Sequence, residues 1–121
     1  MKYLLDTNIL IYLHGGCLLE GLPTGGYGFS VISEIELLAK PGITPDMEGE
    51  LRALLAALHR VEICPAVREA AIRLRRECRL KIPDAIIAAC ALTHDAILLT
   101  NDQQLLAVPG LCSQAVEFRH G

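Results

Sequence analysis

Four acidic residues stand where carboxylates can act together: Asp6 in Leu4-Leu5-Asp6-Thr7-Asn8, Asp84 in Ile82-Pro83-Asp84-Ala85, Asp102 in Thr100-Asn101-Asp102, and either Glu34 or Glu36 in Ser30-Val31-Ile32-Ser33-Glu34-Ile35-Glu36. Asp6 interrupts a near-continuous apolar run from Tyr3 to Leu13, and a carboxylate beside a core is costly unless something compensates it. Taken singly, each acid has an ordinary use. Asp6, Thr7 or Asn8 can cap a following helix, Asp84 can cap beside Pro83, and Asn101-Asp102 can make a turn. Brought together, carboxylates repel and raise one another's pKa, and a divalent cation removes that repulsion. Hard oxygen donors suit Mg²⁺ or Mn²⁺, which keep several waters and meet substrate phosphates. Asp6, Asp84 and Asp102 are therefore candidate metal ligands, and a fourth acid would complete the site or orient a water. Spacing leaves Glu34, which lies with Val31 and Leu38, and Glu36, which lies with Ile32 and Ala39, as equal candidates. Glu36 also precedes Lys40 by four residues, the spacing of a surface ion pair.

The elements that must position these acids follow from the apolar pattern. Tyr3 to Leu5 reads as a buried strand and Ile9 to Leu13 as a helix. A glycine-rich loop, Gly15 to Gly28, leads to Phe29. Helices are expected over Ser30–Lys40, ended by Pro41-Gly42, over Asp46–His59, from Pro65 to about Arg79, and over Pro83–His94. The last is apolar on nearly every side, which implies burial between other elements. Val61–Cys64, Ala96–Thr100 and Ala115–Phe118 read as further strands. Strands separated by helices imply parallel pairing through right-handed crossovers. In such sheets, sites form outside the carboxyl ends of the strands, where Asp6 and Asp102 fall, while Asp84 opens a helix whose dipole favours an anion.

The chain has 121 residues, 52% of them hydrophobic, enough for one domain over 1–121 with an aliphatic core, since aromatics are only 4%. No apolar run reaches membrane-span length and no signal peptide is evident, so a cytoplasmic protein with no membrane partner is expected. Cys17, Cys64, Cys78, Cys90 and Cys112 are odd in number and never form C-x-x-C, and His14, His59, His94 and His120 share no metal-ligand spacing, so neither a disulfide framework nor a zinc site is indicated. The net charge of −3 argues against a protein that coats nucleic acid, yet eight basic residues against three acidic ones between Arg52 and Lys81 give that stretch +5 and leave −8 elsewhere. Arg68, Arg75 and Arg79 share a helix face opposite the apolar stripe and are the candidate contacts for a polyanionic substrate.

In order and spacing, the Tyr3–Leu10 segment, the Ser30–Leu37 helix, the Ile82–Ala89 helix and the Leu98–Asp102 strand end resemble the PIN-domain nucleases, and among them the VapC-type toxins of bacterial toxin–antitoxin pairs. The resemblance implies an α/β three-layer α/β/α sandwich around a short, mostly parallel sheet. It also implies Mg²⁺ or Mn²⁺ at the carboxyl edge, RNA as substrate, homodimers, and a small antitoxin that covers the site. On this likeness Asp6, Glu36, Asp84 and Asp102 are the catalytic acids, with Asp6, Asp84 and Asp102 on metal, and Thr7, Asn8 and Thr100 are supporting polar residues. The choice of Glu36 over Glu34 comes from the resemblance. Many relatives carry a further Asp followed by Phe, where this chain has Gln103-Gln104-Leu105. The Cys17–Phe29 segment carries no substrate-binding signature, and the surface around Gly15 to Gly28 is where a partner would land. Two other readings compete. One is a non-catalytic PIN-like module that binds RNA or protein. The other is an Asp-nucleophile phosphatase or phosphoacceptor, disfavoured by Asn8 where such enzymes need a second acid.

Overall fold

The computed structural model describes residues 1–16 and 22–117. Five strands, β1 (Tyr3–Leu5), β2 (Tyr27–Ser30), β3 (His59–Val61), β4 (Ile97–Leu99) and β5 (Ser113–Gln114), form one sheet in the order β3-β2-β1-β4-β5. All four pairings are parallel. Six helices, α1 (Thr7–His14), α2 (Val31–Leu38), α3 (Pro45–Ala56), α4 (Pro65–Cys78), α5 (Ile82–Thr93) and α6 (Gln103–Leu106), connect them. The chain steps outward from β1 through β2 to β3, then returns through α4 and α5 to β4 on β1's other side. The topology therefore reverses between β1 and β4, the switch point outside whose carboxyl edge sites form in such sheets.

The pleat sends alternate side chains to opposite faces and builds the three layers. Leu4 and Leu98 join Val67, Leu74, Ala88 and Ala91 in the core under α4 and α5. Tyr3, Leu5, Phe29 and Leu99 join Ile9, Leu10, Leu37 and Leu55 under α1, α2 and α3. α5 holds six buried residues along its length, the burial its all-round apolarity implied. The sandwich around a parallel sheet is thus as expected, with one more strand than the sequence reading counted.

That extra strand is β2, inside the stretch read as a glycine-rich loop. Its Gly28 signals close packing: a Cβ there would stand 2.8 Å from the His59 carbonyl oxygen of β3, its register partner. Boundaries also move. β3 is His59–Val61, not Val61–Cys64, because its ladder runs against Gly28, Phe29 and Ser30. Ile63 is left exposed and Cys64 becomes the N-cap of α4. α3 accordingly ends at Ala56, short of the expected His59. β5 is Ser113–Gln114, not Ala115–Phe118, for two reasons. Leu98 and Leu99 pair with Ser113 and Gln114, and Val116 is held instead by the side chain of Asn101. The helix α6 was not foreseen; Asp102 caps it, accepting from Gln104 N at 2.8 Å. Cys17, Phe118 and His120, and part of the glycine-rich loop, lie outside the described residues. Cys64, Cys78, Cys90 and Cys112 are free thiols, and no helix among the described residues is long and apolar enough to cross a membrane.

Candidate active site

Asp6 follows the last residue of β1 and extends the ladder by one bond, its N–H donating to the Leu99 carbonyl at 3.0 Å. This places it beside Thr100, the residue after β4. Asp6 is 7% exposed and Thr100 is fully buried. Both carboxylate oxygens of Asp6 have partners: Oδ2 accepts from the Thr100 hydroxyl at 2.6 Å and Oδ1 from Thr7 N at 2.8 Å. Asp6 is therefore the N-cap of α1 as well as a site acid, while Asn8 is exposed on the first turn. Thr100 works in both directions, since its Oγ1 also accepts from Asp102 N at 3.0 Å. One hydroxyl thus fixes the carboxylate of Asp6 and the backbone that carries Asp102.

α2 separates the two glutamates. Glu34 points toward Arg60 on β3, 3.6 Å away. Glu36 points toward α1, where its Oε1 accepts from the Thr7 hydroxyl at 2.7 Å. Thr7 Oγ1 also lies 2.8 Å from Ser33 Oγ, and Ser33 is fully buried. Ser33 was missed by a reading centred on acids; the available signal was its i, i+3 spacing to Glu36, which puts both on one helix face. Asn101 was also missed. Its amide donates to the Val116 carbonyl at 2.9 Å and accepts from Val116 N at 2.8 Å, tying the C-terminal segment next to Asp102.

Electrostatics register the convergence of the four acids. Burial pushes the Asp6 pKa up; the hydrogen bonds from Thr100 and Thr7 oppose this, and the charges of Asp102 and Glu36 add to the rise. Burial also raises Asp84, followed by repulsion from Asp102, Asp6 and Glu36, with Lys81 alone pulling the other way. The carboxylates are thus within electrostatic reach of each other. Among the described residues, however, no three His, Cys, Asp or Glu side chains are drawn into a coordinating group. The donor set, carboxylate oxygens only, fits a hard divalent cation that would draw them together.

The basic residues lie on the α5 side. Arg68, Ile72 and Arg75 line a cleft with Ile63, Ile82, Ala85 and Ile86, so it runs along the first turns of α5, the helix that also carries Asp84. Arg75, Arg76 and Arg79 border an adjoining one with Ile72. Arg75 also has a structural task, its Nη1 donating to the Leu80 carbonyl at 2.8 Å. Arg79 is not part of the helix: it is the C-cap of α4, in the left-handed conformation with φ 55°.

A parallel sheet with its topological switch at β1 and β4, and acids gathered at that switch, defines a class of α/β proteins built around an acidic carboxyl edge. Residues 3–111 match the PIN domain family, and the chain belongs to that family. Solved structures agree. A toxin–antitoxin complex from Klebsiella pneumoniae matches with 32% identity and a TM-score of 0.78, over 91% of this chain and 95% of that one. VapBC2 of Rickettsia felis, bound to a DNA fragment from its promoter, matches with 21% identity and a TM-score of 0.80, over 97% and 100%. VapBC-5 of Mycobacterium tuberculosis matches with 21% identity and a TM-score of 0.71, over 95% and 97%. The resemblance to VapC-type proteins drawn from the motifs agrees with these neighbours. A comparison with curated proteins finds no significant match.

Proposed function

We propose that the chain is a metal-dependent endoribonuclease of the VapC type, the toxin of a toxin–antitoxin pair. The observation that carries this reading is the gathering of Asp6, Glu36, Asp84 and Asp102 at one sheet edge, where burial first and then the neighbouring acids' charges raise the pKa of Asp6 and Asp84. Asp6, Asp84 and Asp102 would hold Mg²⁺ or Mn²⁺. Once bound, the cation supplies Lewis acidity toward the phosphoryl oxygens and lowers the pKa of a bound water.

The chain's own residues do the rest. Thr100 and Thr7 N hold the Asp6 carboxylate in one orientation, so no reorganisation is needed when substrate arrives. Glu36 has Oε1 committed to Thr7, leaving Oε2 to complete the cation site and to orient the attacking water. Arg68 and Arg79, with the free face of the Arg75 guanidinium, would meet the phosphates of a strand running past Asp84. An antitoxin would have to cover the carboxylates, and the apolar groove of Ile11, Leu37, Ile43, Met47 and Leu51 opens beside Thr7 and Glu36. The homodimer implied by the likeness remains part of this proposal.

The competing readings are weaker on specific grounds. An Asp-nucleophile enzyme needs a second acid two residues after the first, and here that position is the exposed Asn8. A non-catalytic scaffold has little use for the Asp84 charge, which burial and then repulsion from Asp102, Asp6 and Glu36 oppose. The test is induction of wild type and Asp6→Asn in cells, followed by sequencing of RNA 5′ ends. New ends and growth arrest confined to wild type are expected; identical ends from both remove the nuclease reading.

A further inference from the structure

Ser33 has no charge and lies away from solvent, yet it sits at the head of a chain of hydroxyls that ends on Glu36. Its Oγ is 2.8 Å from Thr7 Oγ1, and Thr7 Oγ1 is 2.7 Å from Glu36 Oε1. Thr7 has one hydroxyl proton, and a carboxylate oxygen can only accept. That proton therefore goes to Glu36. The Ser33–Thr7 bond must then run from the Ser33 hydroxyl to a lone pair of Thr7.

We infer that Ser33 is a positioning residue: by donating to Thr7 it turns the Thr7 hydroxyl toward Glu36 and holds that carboxylate at the acidic edge. The reason such support is needed lies in Glu36 itself. It is exposed, and a glutamate there gains rotamer freedom by swinging into water. One bond from a freely rotating hydroxyl competes poorly with that freedom. A hydroxyl whose rotation is fixed by a second, buried donor competes better, because successive hydrogen bonds polarise one another. Ser33 is suited to the task because it is fully buried, so water does not replace it. The arrangement also uses sequence spacing that Glu34 lacks: Ser33 and Glu36, three apart on α2, straddle the single Thr7 presented by α1.

What Glu36 is held for rests on the metal-nuclease reading. The test is therefore a thermal-shift titration with Mn²⁺ on the full chain, using wild type, Ser33→Ala, Thr7→Val and the double variant. Ser33→Ala should weaken apparent Mn²⁺ affinity about tenfold, the low end for a group that orients a metal-site residue. Ser33→Thr, which keeps the donor, should restore most of it. In the Thr7→Val background, Ser33→Ala should add nothing, because its effect runs through Thr7. This cycle uses only hydroxyl deletions and stands even if Ser33→Thr crowds the core. Equal Mn²⁺ affinity in wild type and Ser33→Ala, or additive losses in the double variant, overturns the inference alone. No Mn²⁺-dependent shift in wild type overturns it together with the metal reading.

Discussion

Replacing Thr100 with Val tests the wiring of the acidic edge, because Val keeps the shape of the buried side chain and deletes only the hydroxyl. Two bonds are lost, one to Asp6 Oδ2 at 2.6 Å and one from Asp102 N at 3.0 Å. A bond to a buried carboxylate contributes about 1.5–3 kcal/mol. Asp102 N is only partly buried, so water can take over there and the second loss adds little. A net cost of about 2 kcal/mol follows, or roughly 8 °C in Tm for a domain of this size.

The pH dependence makes the argument sharper. Asp6 titrates above the ordinary aspartate value in the folded chain, mainly through burial, and the Thr100 bond is what limits the rise. A raised folded pKa means that the group's contribution is fully present below its unfolded pKa and is lost as pH rises through the folded one. Thr100→Val raises the folded pKa further, so it loses more over the same climb. The Tm gap between wild type and variant, followed by circular dichroism without divalent cations, should be large at neutral pH. It should narrow as pH falls through the Asp6 titration. A gap that is equally wide at every pH, or close to nothing at neutral pH, would refute this account of Asp6.

Four further outcomes follow from the same geometry. Asp84→Asn removes a half-buried charge that three other acids repel, so without divalent cations it should raise Tm at neutral pH while abolishing RNA cleavage; a lower Tm would contradict the electrostatic picture. Glu36→Gln should stop cleavage whereas Glu34→Gln should keep it, losing only a solvent-screened pair with Arg60 worth less than about 1 kcal/mol; equal activities would mean that the Thr7 contact has no bearing on the site. Arg79→Gly suits the left-handed cap, so Tm should hold while filter binding to single-stranded RNA shows a salt slope shallower by about 0.7; an unchanged slope takes Arg79 out of the interface. Gly28→Ala should cost about 1–3 kcal/mol in urea unfolding, because its Cβ meets the His59 carbonyl; a neutral effect would show that β2 and β3 separate easily.

The legible parts of this chain were those where residue type and period agree. The apolar runs at β1 and β4 and the apolar α5 could only be buried, and the acids next to them fell at one edge as soon as the strands paired in parallel. Register is different, because it depends on partners. Val61 and Ile63 look alike in the sequence, but only Val61 stands on the ladder that Gly28 to Ser30 impose. β2 was hidden because glycine signals a turn locally, whereas Gly28 is needed for the close approach of a neighbouring strand. Glu34 and Glu36 were equivalent on the helix wheel until α1 supplied Thr7 on one side and β3 supplied Arg60 on the other. Arg75 and Arg79 looked like members of one basic face, and their backbone duties at the end of α4 became visible only with the helix terminus in place.

The central claim is that the carboxylates at the β1–β4 edge hold a divalent cation for RNA hydrolysis. It is tested most directly by following labelled single-stranded RNA with purified wild type and Asp84→Asn, each in Mg²⁺ or Mn²⁺ and in EDTA. Discrete cleavage by wild type with metal, and none in the other three conditions, is the predicted result. Cleavage that persists in EDTA, or that Asp84→Asn performs as well as wild type, would contradict it.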